Sequence, residues 1–105
     1  NILANLSKGI WHAEIINQAG KTLAKGVYGA KIDSAIMHFE DVKSHENSNE
    51  IGVLYELAYG YSLLNEDIYL NQSKAILKNM LSMSPASDMD NLYMKKGLML
   101  LEILP

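Results

Sequence analysis

The sequence predicts an all-α fold of stacked antiparallel helical hairpins, with about five helices and no sheet. Three observations carry that expectation. Apolar residues recur at three- and four-residue steps along almost the whole chain, the spacing of one helix face. Only two prolines occur, Pro85 and Pro105, so most of the chain is free of the residue that interrupts helical hydrogen bonding. No stretch of five residues alternates with the two-residue period of a strand.

The elements follow in order. Ile2, Leu3, Leu6, Ile10, Ile16, Ala19 and Leu23 predict a first helix over roughly 3–25. Gly9 and Gly20 fall inside it, each costing about 1 kcal/mol against alanine, and a glycine kept in a helix marks close approach of a neighbour. Gly26, Val27, Tyr28 and Gly29 predict a break. Asp33 is the expected N-cap of a second helix over roughly 34–45, with Ala35, Ile36, Phe39 and Val42 on its apolar face. Asn49 is the expected cap of a third helix over roughly 50–64, striped by Leu54, Leu57, Ala58 and Tyr61. A fourth helix over roughly 69–83 carries Leu70, Ser73, Ile76, Leu77, Met80 and Leu81, and ends before Pro85. Ser87 with Asp90 three positions on has the form of a capping box opening a fifth helix over roughly 88–103.

Self-comparison predicts a repeat. At a shift of 38 residues, Ile16, Ala19, Gly20 and Leu23 fall on Leu54, Leu57, Ala58 and Tyr61, while Ala35, Phe39 and Val42 fall on Ser73, Leu77 and Met80. A shift of 39 carries Leu54, Ala58 and Tyr61 onto Tyr93, Gly97 and Leu100. The single domain 1–105 thus divides into units of about 14–47 and 52–85 and a partial third unit, 88–104. Stacking is what such hairpins need, because one hairpin alone cannot bury both of its apolar faces. Gly20 and Ala58 are the expected small residues between the helices.

Leu54, Leu57, Ala58 and Tyr61 resemble the first helix of the tetratricopeptide repeat family, and Ser73, Leu77, Met80 and Pro85 resemble its second helix and terminal proline. The unit is longer than that family's usual one, as in the related Sel1-like repeats. The resemblance covers about residues 14–104. It implies a right-handed superhelix whose concave face, built by the first helix of each unit, binds a protein or peptide. Carried onto this chain, the partner-binding residues are Asn17, Lys21 and Ala24 in the first unit, Tyr55, Tyr59 and Ser62 in the second, and Met94, Leu98 and Leu101 in the third. Tyrosine offers large contact area at low entropic cost, and an asparagine amide holds an extended backbone. The carboxylate-gripping variety of the family needs matched Lys, Arg and Asn residues. Only Asn17 and Lys21 resemble it.

The fifth helix is apolar over much of its circumference at Leu98, Met99, Leu100, Leu101, Ile103 and Leu104. Either the chain continues or another molecule packs there, and a homodimer through residues 88–104, with Leu98, Leu101 and Ile103 at the interface, is the alternative to a scaffold or adaptor role. The start at Asn1 rather than Met suggests trimming or processing.

Other classes fit the sequence poorly. The net charge is −3, with no basic stripe for nucleic-acid phosphates. Cysteine is absent, which removes disulfides, thiolate catalysis and cysteine-held zinc. No apolar run nears the roughly 20 residues of a membrane span. His38 and His45 are one heptad apart but lack a Glu-x-x-His or His-Glu-x-x-His partner, so His12, His38 and His45 read as surface residues and no metal or other cofactor is expected. No nucleophile elbow or phosphate-cradling loop occurs, and no catalytic residue is expected. The compartment stays open.

Overall fold

The computed structural model describes residues 2–20 and 31–105, and in them five helices and no strand. They are α1 (Ile2–Ala19), α2 (Ile32–Lys43), α3 (Ile51–Leu63), α4 (Asp67–Leu81) and α5 (Asp88–Ile103). α1 packs on α2 and α3 on α4 as hairpins; α1 also meets α3, and α3 and α4 both meet α5. The helices thus sort into a layer of α1, α3 and α5 and a layer of α2 and α4. The molecule's extents are 43 × 31 × 21 Å, and the shortest of these is about two helix diameters.

α3 sits at the centre. Ile51, Val53, Leu54, Leu57, Ala58, Gly60 and Tyr61 are all buried, so it is apolar on nearly every side, as a helix covered on several faces must be. It serves two cores. Val53, Leu57, Tyr61 and Leu64 pack with Leu6, Ala13, Ile16, Ala35, Phe39 and Val42. Ile51, Leu54 and Ala58 pack with Leu77, Met80 and Leu100.

Phe39 keys the first core. Its ring is fully buried and lies against Tyr61 at 4.9 Å between centroids. It is flanked by two glycines: a Cβ added to Gly9 would stand 2.6 Å from Phe39 Cε1, and one added to Gly60 would collide with Phe39 Cζ. Gly97 does the same for Met80, whose methyl occupies the place of its missing Cβ. Two hydroxyls inside find partners, whereas the buried Gln72 Oε1 has none among the described residues. The buried Ser73 hydroxyl donates to the Ala58 carbonyl at 2.7 Å. Tyr61 donates to Glu40 Oε1 at 3.0 Å, and burial, with that carboxylate beside it, pushes the phenol well above its ordinary range.

Several expectations need correction. α1 stops at Ala19, and Gly20 closes it with φ +82° and a bond from its N–H to the Ile16 carbonyl. That left-handed conformation is the usual glycine end of a helix. Gly20 is exposed with open space around it, so it is not the small residue between helices; Gly9 and Ala13 are. The predicted break at Gly26–Gly29 lies outside the described residues, as do Lys21, Leu23 and Ala24. Asp33 stands in the first turn of α2 while Lys31 holds the N-cap position; the carboxylate still complements the helix dipole there. Glu50, not Asn49, precedes α3, and α4 begins at Asp67.

Burial can be compared between the two hairpins. Ala35, Phe39 and Val42 of α2 and Ser73, Leu77 and Met80 of α4, 38 residues on, are all buried. Between α1 and α3 the burial patterns match at a separation of 45. Leu6, Gly9, Ala13 and Ile16 share one burial pattern with Ile51, Leu54, Ala58 and Tyr61. Both helices then end in a residue of positive φ, Gly20 and Asn65. Residues 20–31 lie between α1 and α2, and 64–66 between α3 and α4.

The expected cap at α5 forms, with the return bond taken one residue earlier than in a capping box. Ser87 Oγ accepts from the Asp90 N–H at 3.0 Å, and the Asp90 carboxylate accepts from Ala86 N–H at 3.0 Å. Ser87→Ala is expected to cost about 1 kcal/mol, read as a lower urea midpoint with unchanged slope.

Candidate partner-binding groove

Residues 55 and 59 of α3 lie one turn apart, so their side chains stand side by side on one face. The two tyrosine rings are nearly parallel, 10° apart in plane and 6.4 Å between centroids. Tyr55 leans on Tyr93 of α5 at 5.7 Å. Gly52 makes room for that contact, because a Cβ there would be 2.9 Å from the Tyr93 ring. Tyr59 points the other way, its hydroxyl 3.5 Å from Glu14 Oε1 of α1. Between Tyr55 and Tyr59 on one side and Lys96, Met99, Leu100 and Ile103 of α5 on the other lies a groove of about 320 Å³.

The groove is apolar with one cation. The Lys96 ammonium sits over the faces of Tyr55 and Tyr93, at 6.0 and 5.8 Å from their centroids, within reach of cation–π attraction. Burial raises the Tyr55 and Tyr59 phenols above their ordinary value, and neighbouring carboxylates, Glu56 for the first and Glu14 for the second, add to it. Glu56 is itself raised, first by burial and then by Glu14, against the pull of Lys96. Both tyrosines are therefore neutral hydroxyl-bearing rings at any physiological pH.

The sequence-predicted residues divide. Tyr55, Tyr59 and Ile103 line the groove. Ser62 does not, since its hydroxyl turns back to the Tyr59 carbonyl at 2.6 Å, a bond a helical serine often makes to the preceding turn. Asn17 does not either. Its amide donates to the Leu63 carbonyl at 3.2 Å and ties the end of α1 to the end of α3, beside a smaller cleft of about 220 Å³. Lys21 lies outside the described residues.

In α5 the rotation differs from the expected one. Lys96, Met99, Leu100 and Ile103 line the groove, not the expected Met94, Leu98 and Leu101, and Gly97 receives Met80 of α4. Met94 and Leu101 are instead half-buried against the second core. Leu98 is 48% exposed among Asn91, Lys95 and Glu102, which are also exposed. The side of α5 that carries Leu98 is mostly polar. Lys96, Met99 and Leu100 are the groove residues that sequence reasoning missed.

A second cleft of about 550 Å³ opens at the N-terminal ends of α1, α3 and α5, floored by Leu6, Ile51, Val53 and Tyr93, with Glu50, Glu56 and Asp90 among its lining. Two of these acids belong to helix starts: Glu50 is the residue before α3 and Asp90 completes the α5 cap. Acids are favoured there by the helix dipole.

The histidines hold structure. His38 Nδ1 pairs with Asn5 Oδ1 at 3.2 Å, and His45 Nδ1 accepts from the Asn47 N–H at 3.1 Å. Among the described residues, no group of three or more His, Asp or Glu is placed to hold a metal ion. No described helix is long and apolar enough to cross a membrane. Compared with known proteins, the chain matches no family model, no curated protein and no solved structure.

Proposed function

We propose that this chain is a tetratricopeptide-like binding module, a scaffold or adaptor rather than a catalyst, which holds a short apolar segment of a partner protein in the groove between α3 and α5. The observation that carries the reading is the pairing of a pre-stacked tyrosine couple with uncovered aliphatic side chains opposite it. Met99 is 66% and Ile103 77% exposed, although the helices around them are closely packed. Rigid aromatic walls facing flexible methionine and isoleucine suit an apolar anchor, and the tyrosine hydroxyls and Lys96 supply orienting polar contacts.

Oligomeric state separates this reading from a structural dimer through α5, since a stable protein–protein interface buries about 800 Å² on each partner while a short apolar segment needs only the groove itself. Light scattering at about 50 μM, well above the Kd of a stable dimer, is expected to give a monomer. A dimer abolished by Ile103→Glu would replace the adaptor reading by self-association.

The direct experiment is selection of a random linear peptide library on the whole chain, followed by NMR mapping of the enriched peptides. The expected result is perturbation of the Met99 and Ile103 methyls and of the Tyr55 and Tyr59 rings. Enriched peptides that map elsewhere would remove the groove from consideration.

A further inference from the structure

The imidazole of His12 on α1 lies where α2 begins. Its Nδ1 accepts the backbone N–H of Lys31 at 3.1 Å, and Lys31 is the N-cap residue of α2 with no side-chain cap of its own. The bond fixes the start of α2 to the middle of α1. It demands a neutral imidazole with the proton on Nε2, because a protonated Nδ1 is a donor and cannot accept. The His38 ring of α2 stacks on His12, 6.0 Å between centroids and 17° between planes, and its own Nδ1 is taken by Asn5.

Protonating His12 is opposed from three directions. The acceptor of the Lys31 N–H is lost. A positive charge is placed against the stacked His38 and the nearby Lys31. It also stands at the N-terminus of α2, the positive end of that helix's dipole. The acidic groups of α2 do not compensate. Asp33, Glu40 and Asp41 are exposed, and Glu40 is engaged by Tyr61 and Lys43. On α1, Lys8 lies one turn before His12, and Glu14 faces Tyr59 and Glu56 of α3.

We propose that His12 is an acid-sensitive latch: neutral, it holds the start of α2 on α1, and on protonation it releases it and loosens the α1–α2 hairpin. Burial, and then His38 and Lys31, hold the imidazole below its ordinary value. A histidine lowered in the folded state is neutral there while the unfolded chain takes up the proton. Its contribution is thus complete above about pH 6.5 and is lost as the pH falls through the folded value. The latch closes in neutral solution and opens in mildly acidic solution.

Hydrogen exchange of the Lys31 amide tests this on the unmodified chain. Its protection factor is expected to fall about tenfold between pH 7.5 and pH 5.0, the effect of one lost hydrogen bond, while amides in the middle of α4 keep theirs. His12→Asn is the second arm: the carboxamide oxygen occupies the place of Nδ1 and does not titrate, so Lys31 protection is expected to persist at pH 5.0. Undiminished Lys31 protection in the unmodified chain at pH 5.0 would overturn the latch. An equal loss in His12→Asn would overturn it as well, by assigning the pH dependence to another group.

Discussion

Gly60→Ala is expected to destabilise the protein by about 2 kcal/mol even though it improves the helix-forming propensity of α3. Propensity alone favours the alanine by about 1 kcal/mol. Against that stands Phe39, whose Cζ occupies the space a Cβ would enter. Phe39 cannot retreat, because its other side meets Gly9 and its face meets Tyr61. Overpacking of a closed core costs about 1–3 kcal/mol and occasionally more, so the clash prevails. Chemical denaturation of Gly60→Ala, Phe39→Leu and the double variant provides the check. Phe39→Leu alone loses ring contacts and is destabilised. The double variant is expected to be more stable than the sum of the two single losses predicts, because the smaller side chain leaves room for the methyl. Strict additivity would mean that Gly60 and Phe39 are not in contact.

The second large effect concerns the groove. Tyr55→Ala combined with Tyr59→Ala is expected to weaken binding of a selected peptide at least about a hundredfold, since aromatic anchors at the centre of an interface are worth about 2 kcal/mol or more each and the two are coupled by their stacking. Helicity is expected to be retained. Both rings are only half-buried, and the core of α3 runs through Leu54, Leu57, Ala58 and Tyr61 instead. Isothermal titration with circular dichroism on the same sample separates the two quantities. Unaltered affinity in a folded double variant would place the peptide elsewhere.

How far these features were legible in the sequence depends on the kind of information each one needs. Helix existence was plain, because each helix carries its own apolar period and needs no tertiary knowledge. The α5 cap was readable for the same reason: Ser87 and Asp90 interact three residues apart. The α2 start was not, since the group that receives the Lys31 N–H is His12, nineteen residues away. Burial was legible in α2 and α4, where Ala35 and Ser73, Phe39 and Leu77, Val42 and Met80 are all buried. Gly20 at the end of α1 was misplaced, because a small residue is ambiguous on the page. Gly20 ends a helix by its positive φ, Gly9 and Gly60 admit a phenylalanine, and Gly97 admits a methionine. Only packing partners tell these roles apart. The tyrosines of the groove were found because their one-turn spacing is a local property. Met99 and Lys96 were missed because their place depends on the rotation of α5 against α4.

The sharing of α3 between two cores bears on how a ligand could be recognised without knowing it in advance. Melting of α3 would strip both cores of their largest apolar wall at once. Occupation of a groove built on that same helix therefore raises the melting temperature of the entire chain, and a ligand present at a hundred times its Kd adds about 2.7 kcal/mol. Heat resistance becomes a reporter of occupancy.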